Sequence, residues 1–176
     1  MSEGEPGEAH VSAIDAIVAA NRALAANFVA AAAGTPRVAL VLCMDARMDP
    51  VRMLGIRPGH AHIIRNAGGR LVEAVRSLVV SQQIVGTEEV AIIHHTECGM
   101  QTFSAGELRA RLIERFGDGA GEMEFHEFGD LQESVLSDIA LYRRMPFLRQ
   151  DIPVRGFVYE VATGRLREVS DGSGGP

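Results

Sequence analysis

The chain has 176 residues, of which 47% are hydrophobic and 23% charged, the balance of a soluble globular protein long enough to bury one core without disulfide staples. Its formal net charge of −6 argues against a nucleic-acid binder, which would carry a basic patch. The N-terminus (Met1-Ser2-Glu3-Gly4-Glu5) is acidic where an export signal is basic, and the most apolar stretch, 28–33, is far too short to cross a membrane, so a cytoplasmic protein is expected.

Residues 1–9, rich in Glu, Gly and Pro, are expected to be disordered, residues 10–170 to form a single α/β domain, and the Gly/Ser-rich residues 171–176 to be a flexible tail. Ser12 opens a capping-box-like turn, and Ile14, Ile17, Val18, Leu24 and Phe28 follow near helical spacing, with Gly34 and Pro36 as the stop. This alanine-rich helix precedes the first strand, so from pattern alone it either covers its own core or lies across a partner subunit. Arg37 to Leu42 then reads as a strand, and Asp49-Pro50 opens a short helix that stops at Gly55. Ala61 to Ile64 is a second strand, Leu71 to Val85 a long helix closed by Gly86, and Val90 to Ile93 a third strand. Ser104 and Asp130 cap helices that run to about Phe116 and Arg144, and 154–161 with 166–169 form a strand, a turn at Thr163-Gly164 and a returning strand. Alternating strands and helices predict an α/β fold with a mainly parallel sheet flanked by helices. Its first strands are nearly continuous apolar runs because both faces are covered.

In such sheets ligands bind beyond the carboxyl ends of the strands. The only two cysteines stand there: Cys43 follows the first strand, and His95 and Cys98 follow the third. In a reducing compartment they are better read as thiol ligands or nucleophiles than as a disulfide. Two thiolates and an imidazole suit zinc, and three protein ligands leave a fourth position open, as in catalytic rather than structural sites. The reading that both are merely small buried hydrophobes is weakened by the polar loop residues after each. Asp45 and Arg47 follow Cys43 at steps of two and share its side if the segment stays extended. An arginine clamped on Asp45 keeps it ionised, to steer a hydroxide or to ligate the metal itself. Alternatively the two form an ordinary surface ion pair. A thiol-phosphatase reading fails, because Cys43 and Arg47 are spaced C-x3-R rather than C-x5-R.

His94, adjacent to His95 on an extended segment, points to the opposite face and is expected to pack rather than ligate. His60, His62 and His126 are expected to be surface residues rather than proton shuttles. Gly68 and Gly69 are expected to serve backbone geometry, with Arg65 pairing structurally rather than touching substrate, and the methionines Met44, Met48 and Met53 to pack.

The runs Cys43-Met-Asp-Ala-Arg47, Ile64-Arg-Asn-Ala-Gly-Gly69 and His94-His-Thr-Glu-Cys-Gly-Met100 closely resemble the signature segments of the β-class carbonic anhydrases. The likeness extends through Arg76-Ser-Leu78, Gly86-Thr-Glu88 and Arg155-Gly-Phe-Val-Tyr159 and is nearest the short prokaryotic branch. It implies one zinc ion per chain on Cys43, His95 and Cys98, with Asp45 and Arg47 as the catalytic dyad. It also implies reversible hydration of carbon dioxide to bicarbonate by attack of zinc-bound hydroxide. The resemblance further implies a homodimer or higher assembly, which favours an inter-subunit role for the N-terminal helix. Glu97 stands where the family's motif often has Asp, a tolerable replacement at a non-ligand position. Two alternatives share the site: hydrolysis of carbon disulfide or carbonyl sulfide, and a non-catalytic zinc-bound dimer.

Overall fold

The computed structural model describes residues 12–30 and 34–170. The expectations for 1–9 and 171–176 lie outside the described residues. Contact clustering divides the chain into Met1–Ala32 and Ala33–Pro176.

The first unit carries helix α1, Ala13–Ala25, capped by Ser12, whose hydroxyl accepts from the Ile14 N–H at 3.3 Å. The helix is shorter than the pattern implied. It ends at Ala26, and turn bonds from Asn27 and Phe28 N–H to the Leu24 and Ala25 carbonyls replace a further helical turn. None of its residues is buried, and Ile14, Ile17 and Leu24 stand about 70% exposed.

The second unit is built on a five-stranded sheet of β1 (Val38–Cys43), β2 (Ala61–Asn66), β3 (Glu89–His95), β4 (Val154–Glu160) and β5 (Arg165–Val169), in the order β2-β1-β3-β4-β5. The first four strands pair in parallel, and β5 returns antiparallel to β4 through the expected turn, with Gly164 at φ +72°. Alternation sorts the side chains of β1 and β3 to the two faces. Ala39, Val41, Val90 and Ile92 join Leu71, Ala74 and Leu78 of α3 (Leu71–Val80) and Tyr142 of α5 (Leu131–Arg144). Leu40, Leu42 and Ile93 face the other way, toward Met48, Tyr159 and the short α2 (Pro50–Leu54). Helix α4, Ala105–Phe116, is capped by Ser104, as its sequence indicated.

Helix α2 starts and stops where predicted: the Asp49 carboxylate accepts from the Val51 and Arg52 N–H groups, and Gly55 closes it at φ +65°. The helix expected from Leu71 to Val85 runs that far and is closed by Gly86 at φ +86° as predicted, but after Val80 it widens into a π-turn, Ser81–Val85. The Gly86 and Thr87 N–H groups both donate to the Ser81 carbonyl, and the buried Ser81 hydroxyl meets Thr87 Oγ1 at 2.9 Å and His62 Nδ1 at 2.8 Å. In this turn the buried Ser81 hydroxyl is satisfied.

Candidate metal centre

The register places the site. Leu42 of β1 pairs with Ile93 of β3, so Cys43 ends its strand beside the last residues of β3, and alternation turns His95 to the Leu42 side of the sheet and His94 to the α5 side. Strand β3 ends in a sharp reversal at Glu97, φ +58°, which returns Cys98 toward His95. The donor atoms of Cys43, His95 and Cys98 all lie within 4.8 Å of one another, and all three residues are buried. The two sulfurs are 3.9 Å apart.

This donor set fits a soft dication. His95 Nδ1 donates to the Thr96 carbonyl at 2.9 Å, which fixes the tautomer and leaves Nε2 bare. Nε2 is buried and has no hydrogen-bond partner among the described residues; His94 Nε2 shares that state, but the His95 ring is the one gathered with the two sulfurs. The Cys43 thiol is pulled down to about 4, foremost by its hydrogen bond with Cys98 and further by His95 and the Asp45 and Gly68 N–H groups, against burial. Cys98 moves up for the reciprocal reason, through Cys43 and burial. A dication bound there would favour the thiolate form of both sulfurs.

Around the donors stands a frame of arginine contacts. The strand does not continue past Cys43. Instead the Asp45 carboxylate accepts from the Arg47 N–H at 2.9 Å, and the Met48 N–H closes a turn on the Asp45 carbonyl at 3.0 Å. The turn still brings Asp45 to the donors, with Oδ2 3.9 Å from His95 Nε2. Arg47 grips that carboxylate in a fork, Nε to Oδ1 at 3.0 Å and Nη2 to Oδ2 at 2.9 Å. These bonds and the Arg47 N–H hold the Asp45 carboxyl down at about 2. Arg65 donates to the carbonyls of Cys43 at 3.0 Å and Asp45 at 2.7 Å, so its pairing is with the backbone of the first ligand run.

The Ala67–Gly69 turn presses against the same run. A Cβ on Gly69 would lie 2.9 Å from the Cys43 nitrogen and the Leu42 carbonyl carbon, and φ is +69°, so glycine is required on both counts. Asn66 braces the turn through two bonds to the Arg70 backbone, 2.7 and 2.8 Å long. Behind β3, His94 is packed as expected, with Nδ1 2.7 Å from Ser134 Oγ, Nε2 3.3 Å from Asp138 Oδ2, and the ring stacked on Phe128. His62 is tied to Ser81, well away from the donors.

The cleft at the donors has a volume of about 160 Å3 and is walled by Met44, Ala67, Gly68, Gly99 and Met100 beside Asp45. A larger cavity of about 370 Å3 between β2 and α3 gathers no such donor set, so chemistry rather than size identifies the site. Two contacts had no sequence signal: Glu97 binds Arg47 across 50 residues, and Asp138 reaches His94 from α5.

The chain is similar to known proteins. The carbonic anhydrase family model matches residues 38–118, which span both ligand runs. β-Carbonic anhydrase 1 of Mycobacterium bovis is 40% identical over 134 residues, covering 76% of this chain and 82% of that protein. The carbonic anhydrase structure from Streptococcus mutans superposes with a TM-score of 0.83 at 42% identity, covering 91% of this chain and 99% of that one. A carbon disulfide hydrolase of Acidianus is 32% identical over 157 residues, covering 75% of this chain and 76% of that protein. At about 40% identity over most of both chains, and with the same fold, the chain belongs to the β-carbonic anhydrase family.

Proposed function

We infer that the protein is a zinc-dependent carbonic anhydrase, converting carbon dioxide and water reversibly into bicarbonate and a proton. The observation that carries this reading is the bare, buried Nε2 of His95 facing two sulfurs, with an arginine-held carboxylate 3.9 Å away. Cys43, His95 and Cys98 would hold the ion. When bound there, zinc lowers the pKa of water to about 7 and so supplies hydroxide near neutral pH.

The chain's own residues do the rest. Asp45 accepts the hydrogen bond of the attacking hydroxide and points its lone pair at the carbon of CO2. Arg47 keeps Asp45 ionised, and with its carboxyl held at about 2, Asp45 does not take up the proton released at working pH. Met44, Ala67, Gly68 and Met100 offer an apolar wall against which a small linear molecule sits without competing for hydrogen bonds. Hydroxide supplied there would add to the CO2 carbon to give bicarbonate, and the proton left from water would pass to buffer.

Similarity to the carbon disulfide hydrolase supports a second substrate class at the same site, carbon disulfide or carbonyl sulfide. We place the protein in the cytoplasm, where paired thiols stay reduced. We also read it as a homodimer or larger assembly in which α1 packs on a partner, a reading supported by the exposed Ile14, Ile17 and Leu24.

The test is zinc content and stopped-flow CO2 hydration, with CS2 turnover in parallel, for the native chain, Cys43→Ser and Asp45→Asn. The native chain should carry one zinc per chain, Cys43→Ser should lose it, and Asp45→Asn should keep it while losing about 10- to 100-fold in rate. A zinc-replete native chain that hydrates no CO2 between neutral and alkaline pH overturns the activity. Hydration that survives Cys43→Ser after zinc is lost overturns the site.

A further inference from the structure

Glu97 lies between two ligand positions, and its backbone is left-handed at φ +58°, shared among non-glycine described residues only with His126. Glutamate is a poor choice for that conformation, which glycine adopts freely and Asn or Asp more readily. A strained residue that is not glycine calls for a role of its side chain.

The side chain has a partner. Arg47 Nη1 donates to Glu97 Oε2 at 2.8 Å, and Arg47 Nη2 donates to the Glu97 carbonyl at 3.0 Å while also holding Asp45. Arg47 belongs to the Cys43 run and Glu97 to the His95–Cys98 run. Their pair is thus a cross-link between the two ligand runs that needs no metal. It has an electrostatic consequence too: one guanidinium serves two carboxylates, so Asp45, Arg47 and Glu97 together carry one negative charge instead of none.

We propose that Glu97 is a positioning residue which, acting through Arg47, registers the Asp45 carboxylate against the donors of Cys43, His95 and Cys98. Without its carboxylate the guanidinium keeps only the Glu97 carbonyl as an anchor to the second run, and the Asp45 carboxylate it holds samples a wider range of positions about the reacting oxygen. The catalytic part of the inference rests on the carbonic anhydrase reading; the cross-link between the ligand runs does not.

The experiment compares the zinc-loaded native chain with Glu97→Gln, Glu97→Gly and each of these in an Arg47→Ala background. Three quantities are read: thermal midpoint, kcat and KM for CO2 hydration, and the rate of zinc release to excess chelator. Glu97→Gly should melt within about 2 °C of the native chain, because relief of left-handed strain offsets the extra chain freedom of glycine. Both Glu97 variants should lose about three- to fivefold in kcat at unchanged KM, the size expected for a half-exposed charge-assisted contact. Both should release zinc about three- to fivefold faster for the same reason. In the Arg47→Ala background neither substitution should change either rate further.

Unchanged kcat and release rates overturn the proposal. So does an effect of Glu97→Gly that Glu97→Gln does not share, which would assign it to the backbone, or an effect that persists undiminished without Arg47. A fall in kcat that comes with a matching fall in thermal midpoint overturns it in favour of general loosening. If the native chain hydrates no CO2, the activity reading fails on its own, and the Arg47-dependent zinc-release cycle decides the cross-link.

Discussion

Asp138 on α5 offers a quantitative test of what holds the site from behind. Its side chain is 1% exposed and accepts from Arg70 Nη2 at 2.8 Å, Arg70 Nε at 3.2 Å and the Leu71 N–H at 2.9 Å, with His94 Nε2 at 3.3 Å. One carboxylate thus joins α5, the start of α3 and the residue beside His95. Asp138→Asn keeps the shape but cannot neutralise Arg70, and its amide hydrogens must face at least one of these donors. Removing one partner of a buried ion pair costs about 3–5 kcal/mol. Arg70 is 13% exposed and retains its bond to the His126 carbonyl at 3.1 Å, which favours the lower end of that range. An orphaned N–H adds about 1 kcal/mol, so a loss of about 4 kcal/mol is expected, or roughly 10 °C in thermal midpoint.

Urea denaturation at fixed protomer and zinc concentration measures it, since both ligands and association shift apparent stability. A loss below about 1 kcal/mol refutes the buried-pair argument. The pH dependence supplies the sign. Burial pushes the Asp138 carboxyl up, but the bonds from His94, the Leu71 N–H and Arg70 outweigh it and hold the group below its ordinary 3.8. A lowered carboxyl contributes stability that is complete above the unfolded-state value and is lost as pH falls through the folded one. The gap between native and variant should therefore stay level from roughly pH 6 to 8 and narrow below about 4. A gap that widens on acidification contradicts the sign.

Gly69→Ala should destabilise by about 3 kcal/mol, from left-handed strain and from a Cβ driven into backbone, and should weaken zinc retention because the displaced atoms belong to Leu42 and Cys43. An unchanged urea midpoint would refute it. Because the Asp45 carboxyl is held at about 2, it stays ionised across the working range, so CO2 hydration should rise from roughly pH 6 to 9 with the ionisation of zinc-held water. Asp45→Asn should lower the plateau without abolishing the rise, and a flat native profile would contradict the mechanism. Ile14→Glu with Ile17→Glu, placed on the exposed apolar side of α1, should shift the assembly to smaller species in sedimentation velocity; an unchanged distribution would remove α1 from the subunit interface.

Much of the fold was legible because its signals are local. Asp49-Pro50 and Gly55 bound α2 by capping chemistry that operates within four residues, and the apolar runs of β1 and β3 announce strands covered on both faces. The errors fell where distant partners decide. The end of α3 opens into a π-turn whose Ser81 hydroxyl meets Thr87 and His62, contacts that no periodicity within the helix reports. Helix α1 stops at Ala25 although its apolar spacing runs on to Phe28.

The same division runs through the site. Sequence alone determined which residues could be ligands, because two cysteines and a histidine at strand ends limit the choice; Asp45 reaches them through a turn after Cys43 rather than by the extended spacing expected. Sequence also determined that His94 and His95 part to opposite faces, since strand alternation is a property of the backbone. Only the tertiary structure decided that the Cys43 and Cys98 sulfurs stand 3.9 Å apart, because that distance follows from the parallel pairing of β1 with β3 and from the left-handed turn at Glu97. It alone joined Glu97 to Arg47, 50 residues apart, and Asp138 of α5 to His94 of β3. Hydrogen bonds and ion pairs act over a few ångströms, and which distant groups come within that reach is settled by how the helices pack on the sheet.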